Sequence, residues 1–199
     1  MGIKGLPQDI REAYEVHEFR HAIAILATDF PKEFKEVCKA LRQFSFTKAD
    51  ILKAGGNESE IPKKFSRILR PLGWQHSQLK SRLIVGEGKE EVTVSNDTHK
   101  VDYIKGRVAF DLEWNSKDQT FDRDLYALRA FFEFDKISLG IIVTRSLSLN
   151  PIFQELKIMQ KYGASTTHMA KLLPRLHANR NGGCPVLVLG ITPKVFVKE

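Results

Sequence analysis

The stretch VDYIKGRVAFDLEW, Val101 to Trp114, sets Asp102, Asp111 and Glu113 around an alternating apolar run. Carboxylates gathered by strand pairing are groups that can share a hard divalent cation. Glycine tolerates the positive φ of a tight turn, so a hairpin centred on Lys105-Gly106 is predicted. That register sets Asp102 opposite Ala109 and Lys100 opposite Asp111. Side chains alternate along a strand, so Ala109, Asp111 and Glu113 share one face while Phe110, Leu112 and Trp114 turn toward the core. Asp102 then becomes a diagonal neighbour of Asp111, at roughly 7–8 Å. Three acids on one patch repel each other. Mg2+, with Mn2+ as a substitute, relieves that repulsion, and oxygen-only ligands suit these ions better than zinc. The same hairpin also reads as a solvated acidic face relieved by Lys100, Lys105 and Arg107, and the two readings stand level. A one-residue slip in register would scatter the acids to opposite faces.

The elements that position these acids belong to a chain of 199 residues, with 42% hydrophobic and 28% charged residues, the balance of a folded globular domain. Lysine plus arginine exceed aspartate plus glutamate by 31 to 24, a net charge of +7 that is compatible with a polyanionic partner and does not demonstrate one. Two cysteines, Cys38 and Cys184, exclude a disulfide scaffold and a four-thiolate zinc site. No stretch has the character of a signal peptide or the length of a membrane span, so a cytoplasmic location with no membrane partner is expected.

Helical spacing of Val16, Phe19, Ile23 and Leu26 predicts a helix over 8–29. Others are predicted over 31–44, with Pro31 in its first turn, over 48–53, ended by Gly55-Gly56, and through IPKKFSRILRPLGW. Lys63, Lys64, Arg67 and Arg70 form a basic side of the last one, either a solvated surface or a contact for phosphates. After Trp74 the texture changes: SRLIV reads as a strand, GEGKE as a turn or loop, then the hairpin at 100–114, a helix near 121–134 and a strand at 137–144. Helices follow at 151–161 and 166–179, the second kinked or shortened by Pro174, and CPVLVLGI closes the core as a buried strand. The expectation is one α/β domain over 1–199: a helical part to about 75, then a central mixed sheet flanked by helices.

Asp, eight residues, then acid-x-acid on a strand resembles the core of the PD-(D/E)XK nucleases, although Val101 stands where that core has proline and Glu113 where it has lysine. The acid-x-Glu ending, the eight-residue gap and the following helix are similar to the BglII/BstYI/BamHI group of Type II restriction endonucleases. GRVAFDLEWNSKDQTFDRDLYALRAFFEFDKISLGIIVTR follows that group's order of catalytic strand, polar loop, helix and buried strand, and YGASTTHMAKLLPRLHANRNGGCPVLVLGITP resembles its C-terminal part. Resemblance covers residues 60–195, and the N-terminal helices only by position.

The resemblance implies a restriction-endonuclease-like core and a homodimer that cuts both strands of a short palindromic site in double-stranded DNA, with GATC at the centre and Mg2+ as cofactor. It assigns Asp102, Asp111 and Glu113 to catalysis. Asp102 and Asp111 would hold the metal, and Glu113 would orient or deprotonate water or complete the metal shell. The group places a further acid or amide just after the GW that ends the preceding helix. His76 and Ser77 occupy that position here, and neither is an acid; His76 also reads as a plain exposed histidine. The expected DNA-binding residues are Asn115, Ser116 and Lys117, then Ser165, Thr166, Thr167 and His168, whose amides, hydroxyls and cation suit base edges. Ser165-Thr166-Thr167 equally suits a helix N-cap. Arg180 and Asn181 read as phosphate clamps or loop residues. Asp118, Asp122 and Asp124 read as acids favouring the positive end of the following helix. The alternatives to a restriction enzyme are a DNA-binding module of the same fold that no longer cleaves, and a repair or structure-specific nuclease.

Overall fold

The computed structural model describes residues 2–53, 59–87, 90–95 and 97–197. The expected stop at Gly55-Gly56 and part of the expected loop at 86–90 lie outside these. Three runs dense in β-branched and apolar residues, VAFDLE, LGIIVTR and VLVLGI, form β7 (Val108–Glu113), β8 (Leu139–Arg145) and β9 (Val186–Ile191). They pair in parallel, Ala109 with Gly140 with Val186 and Glu113 with Thr144 with Gly190. Parallel strands are normally covered on both faces, and almost every residue of these three is buried. The sheet is completed by β1 (Tyr14–Phe19), antiparallel to β9, by β6 (Val101–Lys105), antiparallel to β7, and by β3 (Gln75–Ser77), antiparallel to β6, giving the order β1-β9-β8-β7-β6-β3. The expected mixed α/β domain with helices around a central sheet is what the structure shows.

Two apolar layers sandwich the sheet. On one face Phe110, Leu112, Trp114, Val143 and Leu189 pack with residues of α1 (Gln8–Ala13), α2 (Ala22–Asp29), α3 (Pro31–Gln43), α4 (Lys48–Leu52), α5 (Glu60–Leu69) and α7 (Asn150–Glu155). On the other, Ala109, Ile142 and Val188 pack against α6 (Thr120–Glu133) and α8 (Met169–His177). The second face is drawn in tightly at Gly140, where an added Cβ would stand 2.7 Å from Leu128 of α6. The side of β7 that carries the acids is therefore roofed by a helix.

The predicted helix over 8–29 is corrected. It is split by β1, with Val16 opposite Leu189 and Phe19 opposite Val186. Arg20 and His21 then turn the chain at φ 55° and 60° before α2 begins. The apolar spacing fits a helix, but β-branched and aromatic residues alternating in YEVHEF also suit a strand, and pairing with the otherwise unpaired side of β9 decides the outcome. The expected helix at 151–161 ends at Glu155, with Lys157 at φ 57°, and that at 166–179 begins only at Met169. The SRLIV strand is β4 (Arg82–Glu87), and its partner β5 (Glu90–Ser95) was not anticipated; together they form a separate two-stranded sheet. The chain ends on β10 (Phe196–Val197), parallel to β2 (Phe46–Thr47).

Candidate active site

The hairpin turns at Gly106, φ 54°, with Lys105 opposite Val108 and Ile104 opposite Ala109. The expected register is thus displaced by two residues, which preserves the parity of the strand and so keeps the acids on one face. It also changes their neighbours: Asp102 is not diagonal to Asp111 but beside it. The Asp102 N–H donates to Asp111 Oδ1 at 2.7 Å, and the Leu112 N–H donates to Asp102 Oδ2 at 3.2 Å. Each aspartate thereby accepts a backbone hydrogen bond from the opposing strand, which fixes both carboxylates to the ladder.

The reading of this face as a solvated acidic patch is overturned by burial. Asp111 is 3% exposed, and Asp111 Oδ2 and Glu113 Oε2 are buried without a hydrogen-bond partner. The lysine and arginine expected to relieve the patch are engaged elsewhere. Lys105 Nζ donates to Glu36 at 2.6 and 2.7 Å and to the Leu72 carbonyl, while Arg107 binds Ser138 and Asp135. Lys100 is exposed.

A fourth acid completes the group. α6 buries Phe121, Asp124, Leu125 and Leu128 on one stripe, which sets Asp124, 3% exposed, over the acids of β7. Its carboxyl meets Glu113, and its Oδ2 has no partner. The helix-terminus role expected for Asp118, Asp122 and Asp124 fits two of the three. Asp122 lies in the first turn and binds Arg175 Nε at 3.0 Å, Arg175 Nη2 at 3.1 Å and Arg180; Asp118 faces Arg175 and Lys171 at 3.6 and 3.7 Å. Asp124 points instead into the sheet. The signal for it was in the sequence: an acid three residues after Phe121 and one before Leu125, on the apolar stripe.

Crowding shows in the acidities. Burial, then the charge of Asp102, pushes Asp111 well above the usual carboxylate range, with Glu113 adding to it and the Asp102 N–H opposing. Burial lifts Glu113 to about 7 against the hydroxyl of Ser116, and lifts Asp124 to about 10 with help from Asp111, Glu113 and Asp102. Arg123, exposed on α6, draws both down in part.

Ser77 lies across from Val101, one residue before Asp102, beyond an irregularity in the β3–β6 ladder, and His76 beside it is exposed. The two polar loops expected to meet DNA do meet each other. Lys117 bridges to Thr166, the Asp118 N–H donates to the Ser165 carbonyl at 2.9 Å, and the Thr167 N–H donates to that of Ser116 at 2.8 Å. Ser116, Lys117 and Ser165 are exposed, and Asn115 is half-buried with an unpartnered Oδ1. Thr167 and His168 are buried, with Thr167 Oγ1 and His168 Nδ1 unpartnered. The hydroxyls do not cap α8, whose N-cap is His168; Thr166 Oγ1 donates to the Gly163 carbonyl and accepts from Arg145. Arg180 is held by Asp122, and Asn181, 2% exposed, donates to the Cys184 carbonyl ahead of β9. β9 enters the sheet at Val186, level with Ala109 rather than Glu113.

The donor set suits a hard cation. All the acids offer oxygen, and the buried unpartnered oxygens of Asp111 and Glu113 lack the positive charge or donor that burial demands. Among the described residues no group of three or more His, Cys, Asp or Glu side chains is placed to hold a metal ion.

No helix among the described residues is long and apolar enough to cross a membrane. No curated protein matches the chain. The family model described as Restriction endonuclease BglII/BglIII matches residues 14–191, from the first residue of β1 to the last of β9.

Proposed function

Since the chain belongs to the BglII/BglIII restriction endonuclease family, a family of DNA-cutting enzymes that use divalent metal ions, we propose that it hydrolyses both strands of a short palindromic site in double-stranded DNA, with Mg2+ as the working ion and Mn2+ able to replace it. The observation that carries this reading is the pairing of Asp102 with Asp111 beside Glu113, with buried oxygens of Asp111 and Glu113 left unpartnered. Asp102 and Asp111 would hold the ion. Bound there, Mg2+ would neutralise charge building on the scissile phosphate and acidify attacking water. Glu113, at the end of β7 and open at Oε2, orients that water and accepts its proton. The two backbone hydrogen bonds that tie Asp102 and Asp111 to opposite strands keep the carboxylates in place as charge develops.

Sequence reading falls to the paired loops. Ser116, Lys117 and Ser165 are exposed for contact with base edges or phosphate, while Thr166, Thr167 and His168 shape the loop beneath them. A palindrome is matched most simply by two copies of the chain related by a twofold axis, so the active form is a homodimer. The resemblance to the BglII/BstYI/BamHI group supports a GATC core. Digestion of phage DNA with Mg2+ or with EDTA, alongside Glu113→Ala and Asp111→Asn, tests the reading. Discrete Mg2+-dependent fragments that vanish in both variants are expected, and their ends give the site. Smearing would indicate a non-specific or structure-specific nuclease. Retained binding without any cut would indicate a silent DNA-binding module.

A further inference from the structure

The hairpin that carries Asp102 and Asp111 is held from its other face by a buried polar cluster. Lys105 of β6 and Glu36 of α3 are only 16% and 12% exposed along their side chains. Lys105 Nζ donates to the two Glu36 oxygens at 2.6 and 2.7 Å, and to the Leu72 carbonyl at 2.6 Å. Trp74 Nε1, on a fully buried ring, donates to Glu36 Oε2 at 2.8 Å. One carboxylate therefore joins α3, the turn of the hairpin and the segment that leads into β3. Stability alone does not require charge there, since apolar residues of similar volume often serve as well as a buried ion pair. Directed bonds between opposite charges add a preference for one arrangement over its neighbours.

The hairpin needs that preference. β6 lies between β7 and the short strand β3, and the β3–β6 ladder shifts register between Gln75 and Ser77. Side chains alternate along a strand, so Asp102 and Lys105, at odd spacing on β6, belong to opposite faces of the sheet. With Lys105 turned to α3, Asp102 is turned to the face of Asp111. A slip of one residue would take Lys105 from Glu36 and Asp102 from Asp111 together. Arg107, across the turn, is tied separately to Ser138, whose N–H donates to its carbonyl at 2.7 Å and whose hydroxyl accepts from its Nε at 3.0 Å.

We propose that Glu36 is a positioning residue of the active site: by holding Lys105 on the α3 face, it sets the register in which Asp102 meets Asp111. It touches neither reacting group. The register role stands on the hairpin geometry, and only its effect on cleavage rests on the nuclease reading above.

The test is backbone amide hydrogen exchange, followed by NMR on the DNA-free protein, in wild type, Glu36→Gln and Lys105→Met. The Asp102 and Leu112 N–H groups, which bond the aspartate pair, should exchange at least about tenfold faster in both variants, with Ile141 and Val188 of the parallel strands within about twofold of wild type. In Mg2+-dependent DNA cleavage below each melting transition, kcat should fall about tenfold or more with KM within about twofold, because the groups that bind DNA are untouched. Wild-type exchange at Asp102 and Leu112, or equal acceleration at all four amides, would overturn the inference. So would failure of both variants to fold, which would make the cluster a matter of stability alone. Faster local exchange with kcat unchanged would overturn its bearing on the active site. Faster local exchange in a protein whose wild type cuts no DNA would uphold the register role and overturn the nuclease reading.

Discussion

Two neighbouring parallel strands end in buried charge of opposite sign, and the protein treats the two ends differently. At the end of β8, Arg145 is 1% exposed, yet Nη2 donates to the Tyr162 carbonyl at 3.1 Å and to Thr166 Oγ1, and its guanidinium lies 5.6 and 5.9 Å from the Tyr162 and Phe153 ring centroids. A carbonyl, a hydroxyl and two aromatic faces take the place of water around the cation. Burial still lowers its pKa to about 10, so it stays charged at neutral pH. At the end of β7, four acids crowd together and leave buried oxygens unpartnered. The first arrangement pairs Nη2 within the chain, leaves Nε buried without a partner, and ties the end of β8 to Tyr162 and Thr166. The second offers its open oxygens no donor of the chain's own, and on the proposed reading a cation and a phosphate would complete it. Under that reading a structural charge and a working charge lie one strand apart and differ in what satisfies them.

Breaking the β8 end should have the largest effect on stability. Arg145→Ala removes a buried side chain with its packing and leaves the Tyr162 carbonyl without that donor, so unfolding in urea should show a loss of about 2–4 kcal/mol. A loss below about 0.5 kcal/mol would mean the guanidinium is no better settled than the acids.

The β7 end should respond to pH in the opposite sense from an ordinary ion-paired acid. The Glu113 pKa in the folded chain lies above its unfolded value, so the folded state binds the proton more readily. Its contribution is therefore full below about 4.5 and declines as pH rises toward about 7. In EDTA, the melting temperature of wild type should fall across that window more steeply than that of Glu113→Gln. Parallel curves would remove Glu113 from the crowded group.

The smallest effect belongs to the loops that roof both strand ends. Lys117→Ala should weaken DNA binding by about tenfold or less, and the deficit should shrink as salt is raised, because an exposed cation acts largely by releasing counterions. A loss independent of salt would place Lys117 at a base edge instead.

How much of this was legible in the sequence depends on the range of the interaction that decides it. Asp102, Asp111 and Glu113 could be grouped because alternation along a strand is local, and a register error of two residues leaves the faces unchanged. The same error hid the direct pairing of Asp102 with Asp111. The β1 strand was misread as helix because its apolar residues fit both periods, and the deciding partner, β9, lies about 170 residues away in the chain. Asp124 was read as a helix-dipole acid because DRD at a helix start suits that role. Only the docking of α6 on the sheet, close at Gly140 of β8, shows that one of those acids turns inward. The meeting of the loops at 116–118 and 165–167 rests on backbone pairing across some fifty residues, which no local pattern encodes.

The most direct test of the contrast between the two strand ends is the melting temperature of the DNA-free protein in EDTA and in Mg2+, with Asp111→Asn beside it. A cation that binds only the folded chain must stabilise it. The account predicts that Mg2+ raises the wild-type midpoint and that Asp111→Asn, relieved of repulsion, melts above wild type in EDTA and ignores Mg2+. A wild-type midpoint unmoved by Mg2+, or an Asp111→Asn protein that still responds to it, would contradict the claim that these acids wait for a metal.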